Sequence, residues 1–94
     1  MKPWFLYIVR CNDNSLYTGI TNDVQRRFRE HEKQGSRCSK YLRGKAPLRL
    51  VYSEQVGEKG EALRLERHIK SLSRKDKERL IRGTLAIKNS ADKN

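Results

Sequence analysis

Along this chain the spacing of hydrophobic residues changes several times, and each change marks a predicted element. Residues 4–9 are continuously apolar and rich in aromatic side chains, a pattern typical of a strand covered on both faces. The turn-forming run Asn-Asp-Asn-Ser at residues 12–15 follows, and Leu16 to Thr21 returns as a second strand, which predicts a β-hairpin. Leu48 to Val56 alternates between apolar and polar residues and predicts a third strand.

The segment after the hairpin has the spacing of an amphipathic helix. Val24, Phe28 and His31 fall at i, i+4 and i+7, which is one face of a helix predicted over residues 23–33. Thr21 or Asn22 can cap its first turn through a side-chain oxygen. The run Gln-Gly-Ser at residues 34–36 is expected to end this helix, and a basic loop follows up to residue 47.

Two more helices are predicted after the third strand. The first runs from Glu58 to Ser71, and the second is capped by Ser73 and ends at Gly83. The apolar stripe of the longer helix consists of Ala62, Leu65, Ile69 and Leu72. The order β-β-α-β-α-α predicts an α+β domain with a small three-stranded antiparallel or mixed sheet flanked by helices. We expect one domain over residues 1–86 and a polar, flexible tail over residues 87–94.

The charge of the chain points to a polyanionic partner. It carries 22 basic and 11 acidic residues among 94, a net charge of +11, which favours nucleic acid. The alternative is a basic surface that keeps the protein soluble or touches anionic membranes. The longest apolar run is too short to span a membrane and lacks a cleavage site, so we expect a cytoplasmic protein. Cys11 and Cys38 are expected to be free thiols in that compartment.

Polar residues on the predicted helical faces suggest candidate chemistry. Arg27 and His31 lie beside the core-facing stripe of their helix, where the arginine either packs its stem along the sheet or contributes to a site. Glu66 lies on the apolar face of the fifth element, where a carboxylate needs a partner. That partner is Lys70, Arg27 or a cation such as Mg²⁺, which often takes one or two carboxylates together with substrate phosphate.

These residues together resemble the GIY-YIG nuclease domain. Its two strand motifs correspond to the stretches Phe5-Leu6-Tyr7 and Tyr17-Thr18-Gly19, with the two tyrosines ten residues apart. Its helix arginine corresponds to Arg27 in the run from Arg26 to His31, and its glutamate corresponds to Glu66. The resemblance covers residues 3–82. The chain departs from the family's motif at Phe5, Leu6 and Thr18, and it has Ile20 and Thr21 where many active members carry a lysine.

The resemblance implies a phosphodiester hydrolase that uses one Mg²⁺ or Mn²⁺ held by Glu66. It assigns transition-state stabilisation to Arg27, and it leaves Tyr7, Tyr17 and His31 as alternatives for the group that takes a proton from water. Contacts to nucleic acid are expected from Gly19 and from basic side chains. These are Lys40, Arg43, Lys45, Lys70, Arg74 and Lys75.

Three functions remain open on the sequence. The first is a metal-dependent DNA endonuclease, which could favour branched or single-stranded DNA, with DNA expected over RNA and no membrane partner. The second is a nucleic-acid-binding module that keeps the fold with little or no catalysis, which the absent lysine favours. The third is an adaptor whose basic helices bind an acidic protein. A monomer is expected, although a dimer is compatible with the sequence.

Overall fold

The computed structural model describes residues 2–86 and has the predicted α+β fold. The predicted tail at residues 87–94 lies outside the described residues. The elements are β1 (Trp4–Arg10), β2 (Leu16–Thr21), α1 (Val24–Glu32), β3 (Arg49–Gly57), α2 (Lys59–Lys70) and α3 (Arg74–Arg82). The predicted element order is confirmed, and the predicted bounds differ from the observed ones by at most one residue at either end.

The three strands form one antiparallel sheet in the order β2-β1-β3. β1 is central, so both of its faces and both of its edges are covered, which explains its unbroken apolar sequence. In the register of the sheet Tyr7 lies opposite Gly19 of β2 and Ser53 of β3. Successive side chains of a strand point to opposite faces, so Tyr7, Tyr17 and Gly19 share one face, here called the tyrosine face.

Each face of the sheet has its own hydrophobic cluster. On the tyrosine face, Tyr7 and Val9 pack with Leu42 and Leu48 of the long loop and with Phe28 of α1. The opposite face is covered by α2 and α3. Its buried members are Leu6, Ile8, Leu65, Ile69 and Leu80. The helix α1 and the loop after it therefore lie on one side of the sheet, and the other two helices lie on the opposite side.

Local side-chain hydrogen bonds explain where the helices begin and end. Asp23 is the N-cap of α1, because its side chain accepts from the backbone N–H of Arg26. The prediction of Thr21 or Asn22 as the cap is wrong, since the Thr21 hydroxyl instead accepts from the Asp23 N–H at 3.1 Å. Ser73 caps α3 as predicted, and Gly83 ends it in the left-handed conformation that favours glycine.

The basic loop between α1 and β3 contains one 3-10 turn, Lys40–Leu42, which the sequence pattern did not predict. Gln34 adopts a left-handed conformation after α1, and its side-chain amide donates to the Leu42 carbonyl and accepts from the Gly44 N–H. The loop is therefore folded back against the end of α1. Both cysteines are buried free thiols. No helix among residues 2–86 is long and apolar enough to cross a bilayer.

Candidate functional site

The tyrosine face is arranged around Gly19. A β-carbon built at this position would lie 2.7 Å from the Tyr7 hydroxyl oxygen, 2.8 Å from Tyr7 Cζ and 3.1 Å from Tyr17 Cε2. The strand interior therefore needs glycine here, because the ring of Tyr7 lies directly over the backbone of β2. The Tyr7 ring is thus the group that approaches Gly19 closely, and a contact of Gly19 with nucleic acid stays a prediction.

His31 joins the tyrosine face to the basic loop. Its Nε2 lies 2.8 Å from the Tyr7 hydroxyl, and its Nδ1 accepts from the backbone N–H of Ser39 at 3.3 Å. A backbone N–H can only donate, so Nδ1 carries no proton, and in the neutral ring the proton is on Nε2. His31 therefore donates to the Tyr7 oxygen, and the hydroxyl proton of Tyr7 can point to another acceptor.

Burial controls the protonation of this pair. Burial and the nearby Arg27 guanidinium lower the pKa of His31 to about 4, so its ring is neutral at physiological pH. Burial raises the pKa of the Tyr7 hydroxyl above its usual value, Tyr17 raises it further, and Arg27 opposes the shift. In the free protein Tyr7 is thus a protonated phenol that accepts one hydrogen bond and has one to donate.

Two further aromatic side chains extend from the pair of Tyr7 and His31 toward solvent. Tyr17 is half-buried, and its ring centroid lies 5.7 Å from that of His31 and 5.7 Å from that of Tyr41. Tyr41 is 46% exposed, and the ammonium of Lys45 lies 3.8 Å from its ring centroid. The series from Tyr7 to Tyr41 therefore runs from the core to the surface, where it meets a cation of the basic loop.

Arg27 lies beside Tyr7 and at the same time holds the loop. One of its terminal nitrogens donates to Glu30 Oε1 at 3.0 Å and to the Arg37 carbonyl at 2.6 Å. Burial raises the pKa of the Tyr7 hydroxyl, and Arg27 opposes this rise through its charge and a side-chain hydrogen bond. The side chain does not simply extend along the sheet edge into water. Because the guanidinium has other N–H groups, it can bind a phosphate oxygen while it keeps Glu30.

Glu66 lies on α2, which packs on the face opposite to the tyrosine face. Its Oε2 is 3.2 Å from the ammonium of Lys70, so the expected i,i+4 ion pair is formed. The alternative salt bridge with Arg27 is absent from the described residues, since Arg27 pairs with Glu30.

A single divalent ion is compatible with Glu66, although no larger ligand set supports it. Residues 2–86 contain no group of three or more His, Cys, Asp or Glu side chains placed to bind a metal. Mg²⁺ keeps several waters and needs one or two carboxylates when a phosphate completes its shell, so one partly exposed carboxylate suffices chemically. Lys70 is half-exposed and can leave Glu66 when a cation replaces it.

The predicted nucleic-acid contacts fall into two groups. Lys40, Arg43 and Lys45 belong to the basic loop on the tyrosine face, near Tyr41. The other three belong to the helices on the opposite side, where two of them are ion-paired. Lys70 pairs with Glu66, Arg74 pairs with Glu78 at 2.9 Å, and Lys75 is exposed. We call Tyr7, Tyr17, Arg27 and His31 the tyrosine cluster. The loop residues are thus the ones that adjoin this cluster.

Sequence reasoning missed three groups that shape this site. The Ser39 N–H sets the protonated nitrogen of His31, Glu30 anchors Arg27, and Tyr41 forms the exposed end of the aromatic series. The spacing of Arg27 and Glu30, three residues apart on one helix, is a signal that could have identified the second group. No local pattern marks the other two, because they depend on how the loop folds back.

A comparison with protein families agrees with this arrangement. The model of the GIY-YIG catalytic domain matches residues 3–79, which is most of the chain. The chain belongs to the GIY-YIG family. Members of this family are nucleases, so the chain carries a domain of a kind that acts on nucleic acid. The matched range contains β1, β2 and α1, the elements that carry Tyr7, Tyr17 and Arg27.

Proteins that are similar to this GIY-YIG chain align with it over most of its length. It is 52% identical over 87 residues to a UPF0213 protein of Cronobacter sakazakii, covering 93% of this chain and 90% of that protein. It is 52% identical to the UPF0213 protein YhbQ of Escherichia coli K12, covering 86% and 79%. The solution structure of a UPF0213 protein from Bacillus halodurans is 43% identical, with a TM-score of 0.54, covering 84% and 82%.

Proposed function

We propose that this protein is a divalent-metal-dependent endonuclease that hydrolyses phosphodiester bonds in DNA, with single-stranded or branched DNA as its substrate. The observation that carries the proposal is the convergence of Tyr7, Tyr17, Arg27 and His31 on the tyrosine face. A helix, two strands and a loop place these four polar side chains together, and the GIY-YIG family membership supports their use in phosphodiester chemistry.

The proton-transfer roles can be weighed from the hydrogen bonds. His31 is the weakest of the three candidate bases, because its basic nitrogen Nδ1 is occupied by the Ser39 N–H and its pKa is low. We assign it the role of orienting Tyr7. The protonated Tyr7 hydroxyl, which accepts from His31, can donate a hydrogen bond to a phosphate oxygen, and it would have to lose its proton before it could take one from the attacking water. Tyr17, half-buried and nearer to solvent, is the tyrosine that incoming water reaches more easily.

Deprotonation of Tyr7 near neutral pH requires added positive charge, because burial raises the pKa of its hydroxyl. Arg27 supplies one such charge beside Tyr7, and a bound cation would supply another. Arg27 would also stabilise the charge that develops on the phosphoryl group, because its planar fork matches two phosphate oxygens. Glu66 is the proposed ligand of one Mg²⁺ or Mn²⁺, a cation that polarises a phosphoryl oxygen when it is bound.

The test compares cleavage of labelled single-stranded, duplex and branched DNA by the wild type and by Glu66→Gln and Arg27→Lys. Each substitution should reduce cleavage by about 10²–10³-fold, and EDTA should abolish it. Glu54→Gln is the matched control, because Glu54 is an exposed carboxylate on β3 whose hydrogen bond, to Tyr52, lies away from the cluster. Undiminished cleavage by Glu66→Gln, or cleavage that survives EDTA, would refute the metal-dependent mechanism.

A nucleic-acid-binding module without catalysis is the second candidate function. It is favoured by one observation, namely that Glu66 is ion-paired with Lys70 on the far side of the sheet and makes no hydrogen bond to the tyrosine cluster within residues 2–86. This function predicts DNA binding that is equal in Glu66→Gln and wild type, together with no cleavage by folded wild type. Binding in the presence of EDTA, measured on the same three substrates, separates it from the endonuclease.

A further inference from the structure

The outer face of α1 carries a row of cations that the candidate site does not use. Arg26, Arg29 and Lys33 are spaced by three and four residues, so they lie along one face of the helix, and all three are exposed. Arg37 of the loop joins them, with a side chain 81% exposed. Together they line a shallow groove with Gly35 and Ser36. We call Arg26, Arg29, Lys33 and Arg37 the α1 ridge.

Among the described residues, Arg37 is the one cation of the α1 ridge that is paired with an acidic side chain. Among residues 2–86, Arg26, Arg29 and Lys33 make no ion pair. Glu30 lies in the same groove, but its carboxylate is held by Arg27 at 3.0 Å, with Arg37 at 3.8 Å. Like charges at three- and four-residue spacing destabilise a helix. An anionic partner would relieve this repulsion.

The ridge adjoins the tyrosine cluster through Arg27. This residue lies next to Arg26 on the helix, its guanidinium is beside Tyr7, and the same guanidinium holds the backbone carbonyl of Arg37. The groove and the cluster are therefore neighbouring surfaces, and Glu30, which lines the groove, is ion-paired with Arg27 of the cluster. Arg26 and Lys33 are seven residues apart, an axial rise of about 10 Å, which corresponds to about three nucleotide steps at the ~3.4 Å per nucleotide of a strand in duplex DNA.

We propose that the α1 ridge binds the phosphates of the nucleic-acid strand that continues beyond the tyrosine cluster. The identity of the partner rests on the proposed function, whereas binding at the ridge does not require catalysis. Exposed Arg and Lys side chains on a helix contact phosphates without reading bases, so the ridge contributes affinity and orientation independently of sequence. The α1 ridge would fix the position of the strand, so that the phosphodiester next to Arg27 lies at the tyrosine cluster.

The test is the salt dependence of binding to a long labelled single-stranded oligonucleotide, measured in EDTA so that no cleavage interferes. The double variant Arg29→Gln/Lys33→Gln should bind more weakly to all sequences and lower the slope of log K against log salt by about 1.4, or ~0.7 for each lost phosphate contact. The control is Arg64→Gln/Arg67→Gln, which removes the same charge from exposed positions of α2.

The outcomes separate this inference from the proposed function. An unchanged slope in the ridge variant, an equal loss in the control pair, or no binding by the wild type would each overturn the ridge as a phosphate contact. A slope that falls in the ridge variant alone supports phosphate binding at the α1 ridge. If the wild type at the same time cleaves none of the substrates, the proposed endonuclease activity is refuted, whereas the proposed phosphate contact is not. Circular dichroism on each variant checks that the exposed substitutions leave folding intact.

Discussion

The hydrogen bond from His31 to Tyr7 predicts a measurable cost for the substitution Tyr7→Phe. The phenyl ring is kept, so the buried apolar surface is nearly unchanged. The oxygen that accepts from His31 Nε2 at 2.8 Å is lost. His31 is 0% exposed and Tyr7 is 1% exposed, so water cannot replace this acceptor without opening the core. A buried donor left without a partner costs about 1–3 kcal/mol, out of the ~5–15 kcal/mol that stabilise a small domain.

Thermal and urea unfolding followed by circular dichroism measure this effect, with Tyr52→Phe as the control. A domain of this size loses about 4–8 °C in Tm for each kcal/mol. The Tyr52 hydroxyl makes an exposed 3.3 Å hydrogen bond to Glu54, so its removal should change stability by less than ~0.5 kcal/mol. If Tyr7→Phe is no more destabilising than the control, and nitrogen NMR places the His31 proton on Nδ1, the assignment of the hydrogen bond is refuted.

Two more substitutions test the packing around Gly19 and the ion pairs of Glu78. Gly19→Ala places a methyl group 2.7 Å from the Tyr7 hydroxyl oxygen, so it should destabilise the fold by about 1–3 kcal/mol; a wild-type Tm would contradict this packing. Glu78→Gln should cost about 1–2 kcal/mol at neutral pH, because Arg10 and Arg74 bind this carboxylate. Those contacts, of which the hydrogen bond from Arg10 has the largest effect, lower the pKa of Glu78 from 4.5 to about 2. The stabilisation is therefore complete above pH 4.5 and is lost as the pH falls through about 2. The unfolding free energies of wild type and Glu78→Gln, measured in urea, should converge in acid.

The fold was predictable because its signals are local and repeated. The apolar run of β1, the turn before β2 and the helical spacing of α2 each depend on residues near one another in the chain. The cap of α1 was mispredicted because Thr21, Asn22 and Asp23 are all good capping residues, and the choice depends on the Thr21 hydroxyl taking the Asp23 N–H. Local pattern cannot rank three adjacent residues that offer the same chemistry.

The sequence indicated four side chains that the fold brings together, but not how they are connected, and their roles in a reaction stay predictions. Family resemblance pointed to Tyr7, Tyr17 and Arg27 from their motifs. The contact between His31 and Ser39 depends on the loop folding back over α1, a long-range event that no spacing in the sequence reports. The same is true of the carbonyl of Arg37, which fixes Arg27. The sequence therefore indicates which groups are present, and the fold determines which nitrogen carries a proton.

The connections between α1 and the basic loop affect how any loss of activity must be interpreted. Arg27 holds the Arg37 carbonyl, His31 holds the Ser39 N–H, and Gln34 holds the Leu42 carbonyl, so two side chains of α1 and one just after it anchor one loop. Two of these three also belong to the tyrosine cluster. Because the cluster and the loop share these anchors, a substitution that frees the loop also disturbs the cluster. Arg27→Lys is therefore more informative than removal of the whole side chain, since it keeps the charge and one donor while it loses the planar fork that matches phosphate.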